Sequence, residues 1–276
     1  MSSFRLFDSH AHVNFVAFED DWRAVLDDCQ RHGVAVTLVG SQLPTSRRAI
    51  ELAELYPEGV YAAVGLHPVH VADQPQPFRV EDYAAMISAS SRVVAIGETG
   101  IDHFRLPAGR EAQDLERQRE VFIAQLRLAR DHELALVIHT REHPTKPPAA
   151  YAEVLGILRR EQAAGLPQGV IHCFLGTVEE AEAFTALGLY VGITGIITFE
   201  KRSEQLRRVA AAVPLERLVV ETDSPYLAPQ SYRGKRNQPQ YVAHVVEEIA
   251  RCKGVSAAVA AEQTSENARR LFGIKN

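Results

Sequence analysis

The sequence predicts a (β/α)8 barrel of the triosephosphate isomerase type, and three observations carry the prediction. Eight short apolar, β-branched runs recur along the chain, amphipathic stretches separate them, and the 276 residues suit the about 250 that one such barrel needs. The first run, 5–10, leads to a helical segment at 19–32 that Gly33 stops. The second, 35–40, is followed by a helical stretch at 44–56, and the third and fourth are 60–66 and 93–98. A long amphipathic stretch, 111–132, precedes the fifth run, 134–140. The sixth run, 170–174, leads to a helix at 178–187 stopped by Gly188; the seventh, 189–194, leads to a helix at 203–212, and the eighth is 218–223. Glycine after the last periodic residue is the expected helix stop. Strands alternating with helices require right-handed crossovers and a parallel sheet covered on both faces, which is why the runs are continuously apolar.

No linker or low-complexity tract divides the chain, so residues 1–276 are expected to form a single domain, with the Pro-containing stretches 74–78 and 143–148 as loops. An open doubly wound sheet is the structural alternative. The first run begins by residue 5, leaving no room for a secretory leader, and no run approaches the ~18 apolar residues of a membrane span. A soluble cytoplasmic protein is therefore expected. Cys29, Cys173 and Cys252 have no paired spacing and read as reduced packing residues. Thirty basic against thirty-five acidic residues, net −5, argue against a broad basic surface for nucleic acid, so a polyanionic substrate must be attracted locally.

Polar residues break the carboxyl ends of the runs. The first ends in His10 and His12, the fourth in Glu98, the fifth in His139, the sixth in His172 and the eighth in Asp223. Taken singly, His139 and His172 read as core histidines, Glu98 as a cap and Asp223 as a turn residue. Together they gather on one rim, where barrels of this kind build their sites. A single catalytic zinc needs about three protein ligands, whereas these six suit two divalent ions, about 3.5 to 4 Å apart, sharing Glu98. Asp223 would complete one shell, orient the attacking hydroxide and take its proton. Zn, Mn, Ni or Fe suits this donor mixture, and Mg supports phosphoryl chemistry.

The motifs D-S-H-A-H (8–12), G-L-H-P (65–68), G-E-T-G-I-D (97–102), H-T-R (139–141), H-C-F (172–174), E-T-D-S-P-Y-L (221–227) and R-G-K-R-N-x-P (233–239) resemble those of the TatD family. So does Thr264-x-x-Asn267-x-x-Arg270-Leu271-Phe272. These are metal-dependent deoxyribonucleases of the amidohydrolase-like superfamily. The resemblance implies that His10, His12, Glu98 and Asp223 hold one ion and that Glu98, His139 and His172 hold the other. It further implies a phosphodiesterase acting on DNA ends or short single-stranded DNA from the 3′ end, with no obligate protein partner. Two positions depart from the pattern: Gln238 stands where the family often has Glu, and the segment 142–150 is Pro-rich.

His67 falls on the same rim and is a catalytic candidate, to orient water, touch phosphate or support a ligand. His70 and His103 read as solvated loop residues, and His32, His132 and His244 as surface residues. Arg233, Lys235 and Arg236 follow the eighth run, where barrels commonly place phosphate-binding loops, and Arg141 adds a further cation; these four are the phosphate candidates. Tyr226 and Tyr232 flank them. The alternative function is a binuclear amidohydrolase of a small amide, lactone or ester, because an activated hydroxide attacks carbonyl carbon as readily as phosphorus.

Overall fold

The computed structural model describes residues 4–73, 78–145, 150–201 and 203–275. Its strands are β1 (Leu6–Ala11), β2 (Val34–Val39), β3 (Val60–Val64), β4 (Val93–Asp102), β5 (Ala135–Arg141), β6 (Gly169–Ile171), β7 (Tyr190–Ile193) and β8 (Leu218–Val220). They form one sheet in chain order, each parallel to its neighbour. The sheet nearly closes on itself, and polar contacts finish the closure. Ala11 bridges Ser224 in parallel, and the Asp223 amide donates to the His10 carbonyl at 2.9 Å. Buried Asp8 accepts the Thr222 amide at 2.9 Å and its hydroxyl at 2.5 Å. The first residue of D-S-H-A-H thus ties the first strand to the chain following the last.

The helices are α1 (Trp22–His32), α2 (Leu43–Glu54), α3 (Val80–Ala89), α4 (Glu111–Asp131), α5 (Ala150–Glu161), α6 (Val178–Ala186), α7 (Glu204–Ala212), α8 (Val242–Lys253) and α9 (Ala257–Leu271). Gly33 caps α1 at φ 65°, and Gly188 follows α6 at φ 88°, as the stop signals predict. Phe7, Ala35, Ala63, Ala95, Val137, Val170, Tyr190 and Val219, one from each strand, cluster with Phe4, Leu271 and Phe272. These apolar side chains fill the amino-terminal end of the barrel. Polar groups are left to the carboxyl end. Asn267, buried in α9, donates to the carbonyls of Leu215 and Leu218 at 2.8 and 2.7 Å, which fastens that helix to the start of β8.

Three of the boundaries that differ from those expected bear on the site. β4 runs four residues past Glu98, and its ladder with β5 shifts register between Ile96 and Thr99. At that irregularity the Glu98 amide donates instead to the Gly40 carbonyl across the barrel mouth, at 3.1 Å. β6 stops short of His172, next to Cys173 (φ 46°), whose left-handed backbone ends an extended strand, and β8 stops at Val220, where its partner β7 ends at Ile193, three residues before the left-handed Asp223 (φ 56°). Of the two Pro-containing stretches, 74–77 and 146–148 lie outside the described residues. Among the described residues no helix is long and apolar enough to cross a membrane.

Candidate metal centre

His10 and His12 lie at the end of β1 and just beyond it, Glu98 inside β4, His139 in β5, His172 immediately after β6, and Asp223 three residues after β8. The barrel brings all six to one buried cluster at its carboxyl mouth, and His67, after β3, joins them. The two oxygens of Glu98 divide the histidines between them. Oε2 stands 3.4 Å from His10 Nε2 and 3.8 Å from His12 Nε2. Oε1 stands 2.8 Å from His139 Nδ1, 3.2 Å from His67 Nε2 and 3.8 Å from His172 Nε2. Asp223 Oδ1 lies 3.3 Å from His12 Nε2, 3.8 Å from His10 Nε2 and 3.7 Å from His172 Nε2.

These spacings test the fit to metal. Tetrahedral ligands at bond lengths near 2.0–2.1 Å stand roughly 3.4 Å apart. The His10, His12, Glu98 and Asp223 atoms lie 3.1 to 3.8 Å apart in the pairs that touch, so this set fits one divalent ion. Ligand atoms of His67, Glu98 and His139, and of His10, His172 and Asp223, likewise gather within 4.8 Å. His172 therefore sits nearer the His10 side than the division by resemblance implies; its ring stacks on His10 at 3.5 Å.

Groups outside the cluster orient its histidines. His12 Nδ1 lies 2.8 Å from the Val39 carbonyl, which directs Nε2 inward. His139 Nε2 stands 3.1 Å from Asp102 Oδ2, which leaves Nδ1 facing Glu98. His172 Nδ1 stands 3.0 Å from Glu221 Oε1, which leaves Nε2 facing the site. Such carboxylate partners fix the tautomer and raise ligand basicity. Asp102 also accepts the Phe104 and Arg105 amides at 2.7 Å each. Glu221 is fully buried and accepts the Cys173 amide at 2.5 Å; a Cβ on Gly192 would stand 2.6 Å from its carboxylate. The sequence alone assigned Asp102 and Glu221 no role, although Asp102 closes G-E-T-G-I-D and Glu221 opens E-T-D-S-P-Y-L, and each lies close to a ligand candidate in the sequence or across one strand pair.

Burial works against charge throughout, and neighbours decide the outcome. His67, His172 and His10 outweigh burial at Glu98 and hold its carboxyl well below the usual range. Burial opposes ionisation of Asp223 too, but His12 and His172 lower it. Burial, aided by His172, depresses His10, and burial pushes His67 down to about 4 despite Glu98. At His172 burial is overcome by Glu221 and Glu98, which push it up to about 10. Two ionised carboxylates among buried imidazoles call for positive charge, which a proton or a cation supplies. His67 Nδ1 accepts the Val69 amide at 3.1 Å, so its Nε2 is the protonated nitrogen and acts as a donor rather than a ligand.

The basic residues separate. Arg236 pairs with Asp21 through both terminal nitrogens, at 2.9 and 2.5 Å, and lies over the Phe18 ring at 4.3 Å. The structure thus brings Arg236 to the loop after β1 and not to the metal cluster. Arg233 and Lys235 are exposed, near the rings of Phe199 and Tyr232 respectively, and Arg141 is exposed over Phe104 at 4.3 Å. Asn237 of the same motif is buried and donates to the Thr222 and Tyr226 carbonyls, holding the loop that carries Asp223. Tyr232 stacks on Tyr241 at 3.8 Å, whereas Tyr226 is 54% exposed beside His12. His103 is paired with Glu153 at 2.8 Å and is not the solvated residue expected. His70 is half-buried, and His244 is 3.4 Å from Glu247.

The chain is similar to known proteins along nearly its whole length. The family model described as TatD related DNase matches residues 7–273. The chain is 38% identical over 272 residues to the uncharacterized metal-dependent hydrolase YabD of Bacillus subtilis, covering 98% of this chain and 99% of that protein. It is 34% identical over 276 residues to the protein of Erwinia tasmaniensis named 3′-5′ ssDNA/RNA exonuclease TatD, covering 98% and 100%. The crystal structure of YjjV, a TatD homolog from Escherichia coli K12, superposes with a TM-score of 0.86 at 29% identity, covering 99% of this chain and all of that one. A barrel mouth lined by histidines and carboxylates, on a chain matched over nearly its whole length, belongs to the TatD-related DNase family of metal-dependent hydrolases.

Proposed function

We propose that this chain is a single-domain, cytoplasmic phosphodiesterase that removes nucleotides from the 3′ end of single-stranded DNA with two divalent cations. One observation carries the reading: Glu98 turns one oxygen toward His10 and His12 and the other toward His139 and His172, the arrangement of a carboxylate shared by two ions. His10, His12, Glu98 and Asp223 would hold one ion, and Glu98, His139 and His172 the other. The bound ions would supply Lewis acidity and lower the pKa of the attacking water.

The chain's own groups account for the remaining steps. The Asp223 side chain is 16% exposed, against 0% for His10 and 4% for Glu98, so it is the carboxylate open to the reactants. It would orient the water and accept its proton as attack on phosphorus proceeds in line. His67, neutral and with Nε2–H facing the cluster, would donate to a phosphoryl oxygen as negative charge builds. Arg233, Lys235 and Arg141 would neutralise flanking phosphates at the rim. A few such contacts suit a short footprint on a chain of net charge −5. The relative named as a 3′-5′ ssDNA/RNA exonuclease supports the polarity and the single-stranded preference.

Protein reconstituted with Zn, Mn, Mg, Ni or Fe and incubated with end-labelled single- and double-stranded DNA tests the reading. Metal-dependent release of nucleotides from the 3′ end is expected, and Asp223→Asn should abolish it. Turnover of amide, lactone or ester substrates with DNA left intact would move the chain to the amidohydrolase alternative.

A further inference from the structure

A cavity of about 320 Å³ opens beside the metal cluster, between the segment that follows β1 and the first turns of α1 and α2. Asn14, Phe15, Val16, Glu19, Trp22 and Arg48 line it. Two contacts join it to the metal centre. Phe15 stacks on the ligand candidate His12 at 4.3 Å and 24°. The Asn14 amide donates at 3.1 Å to the Val39 carbonyl, the same oxygen that lies 2.8 Å from His12 Nδ1. A group seated in the cavity is therefore one aromatic ring away from a ligand.

The chemistry of the walls selects the occupant. Arg48 is held by Glu51 at 3.0 Å, Arg48 and Arg23 lie over the Trp22 ring at 5.3 and 4.6 Å, and the carboxylates of Glu51 and Glu19 balance the two guanidinium groups, so the cavity offers no net cation to a phosphate. Its walls instead provide two aromatic rings and a guanidinium plane, the surfaces on which unpaired bases stack. Asn14 is 7% exposed, and its Oδ1 has no hydrogen-bond partner among the described residues. An unmet buried acceptor suits a donor such as a base amino group. The volume lies at the lower end of small-ligand pockets, ~300–1,000 Å³, enough for one nucleotide.

We infer that the cavity between Phe15 and Trp22 is a nucleobase subsite, which grips one base of the strand and so sets which phosphate lies over the metal cluster. The inference rests on the nucleic-acid reading above. It explains how a chain with few rim cations prefers single strands, because a base held in a cavity must be unpaired.

Trp22 is the only tryptophan in the chain, so its fluorescence reports the subsite without turnover. Metal-loaded protein titrated with a single-stranded oligonucleotide carrying uncleavable phosphorothioate linkages at its 3′ end should show saturable quenching. The same strand with abasic nucleotides at that end should not quench. On cleavable DNA, Trp22→Ala should lower kcat/KM by roughly 5- to 150-fold, the range for a lost base stack. Should that variant fail to fold, Arg48→Ala decides with an expected loss of roughly 2- to 30-fold. Both variants should hydrolyse methyl 4-nitrophenyl phosphate, which has no base, within about twofold of the parent rate, the scatter left when no base contact is lost. Equal losses on DNA and on the small diester, or quenching that ignores the bases, would overturn the inference. Base-dependent quenching in a protein that cuts neither substrate would sustain the subsite and overturn the phosphodiesterase reading.

Discussion

Replacing Glu221 separates orientation of the proposed ligand His172 from ligation itself. Its Oε1 takes His172 Nδ1 at 3.0 Å and the Cys173 amide at 2.5 Å, while Oε2 lies 3.4 Å from the Ser9 hydroxyl. Glu221→Gln can keep its oxygen toward His172 and Cys173 and turn its amide to Ser9, so charge is lost with little change of shape. A charge-assisted bond is about twice as strong as a neutral one, so the change costs roughly 1 to 1.5 kcal/mol. The imidazole opposite becomes a poorer donor to metal, and affinity should fall about 10-fold, the lower end for such partners. Glu221→Ala leaves the buried Cys173 amide unpaired, at about 1–3 kcal/mol, and removes the charge beside His172 Nδ1, so it should lose about 100-fold in affinity with a marked loss of stability. Chelator-competition titration measures the affinity, and urea unfolding the stability. If Glu221→Gln bound divalent metal as tightly as the parent, the orienting role would be refuted. Gly192→Ala offers a check from the other side, since its Cβ would stand 2.6 Å from the carboxylate and should weaken metal binding likewise.

The basic cluster should divide on substitution. Arg236→Ala, which breaks the Asp21 pair and the contact with Phe18, should lower stability by about 1–2 kcal/mol in urea melts, with a small effect on KM. Arg233→Ala and Lys235→Ala should raise KM for single-stranded DNA and reduce the salt dependence by about one phosphate each, with stability within about 0.5 kcal/mol. Adding a binding metal at about 100 times its dissociation constant should stabilise the protein by roughly 2.7 kcal/mol per site. Calorimetry should then show a melting temperature higher by several degrees, and a chelator should reverse it. At Glu153, burial is outweighed by bonds from His103 and Arg119, which lower its pKa. A depressed carboxylate contributes stability above its unfolded pKa of about 4.3 and loses it as pH falls through the lower folded value. The parent should therefore exceed Glu153→Gln at pH 7 by about 1–2 kcal/mol, and the advantage should shrink as pH falls below about 4.3 and disappear once the pH is below the folded pKa.

Much of the architecture was legible because barrels repeat one local rule. Each of the eight runs overlaps a strand, since a parallel strand buried on both faces must be apolar end to end. Glycines 33 and 188 stop helices as expected, because only a left-handed residue satisfies the last carbonyls there. The cluster was legible for a related reason: parallel strands send all their carboxyl ends to one rim, so His10, His12, Glu98, His139, His172 and Asp223 could be gathered without coordinates. Strand ends were less legible at His172, where a left-handed residue follows β6, at Asp223, where β8 ends with its short partner β7, and at Glu98, where a register shift places the carboxylate inside β4.

What the sequence determined by itself, then, is the order of elements and the chemical types at the rim, because both follow from periodicity and strand direction. Partnership was decided by tertiary structure alone. Arg236 and Lys235 are adjacent in sequence, yet one is neutralised by Asp21 and the other is exposed. Asp8 closes the barrel, while Asp102 and Glu221 orient imidazoles. Hydrogen bonds and ion pairs are won or lost by a few tenths of an ångström, as in the Arg236–Asp21 pair, whose residues lie 215 positions apart, and no local pattern encodes such precision. Only the closed barrel brings those groups together, and it also places Phe15 and Asn14 between the metal cluster and the cavity beside it.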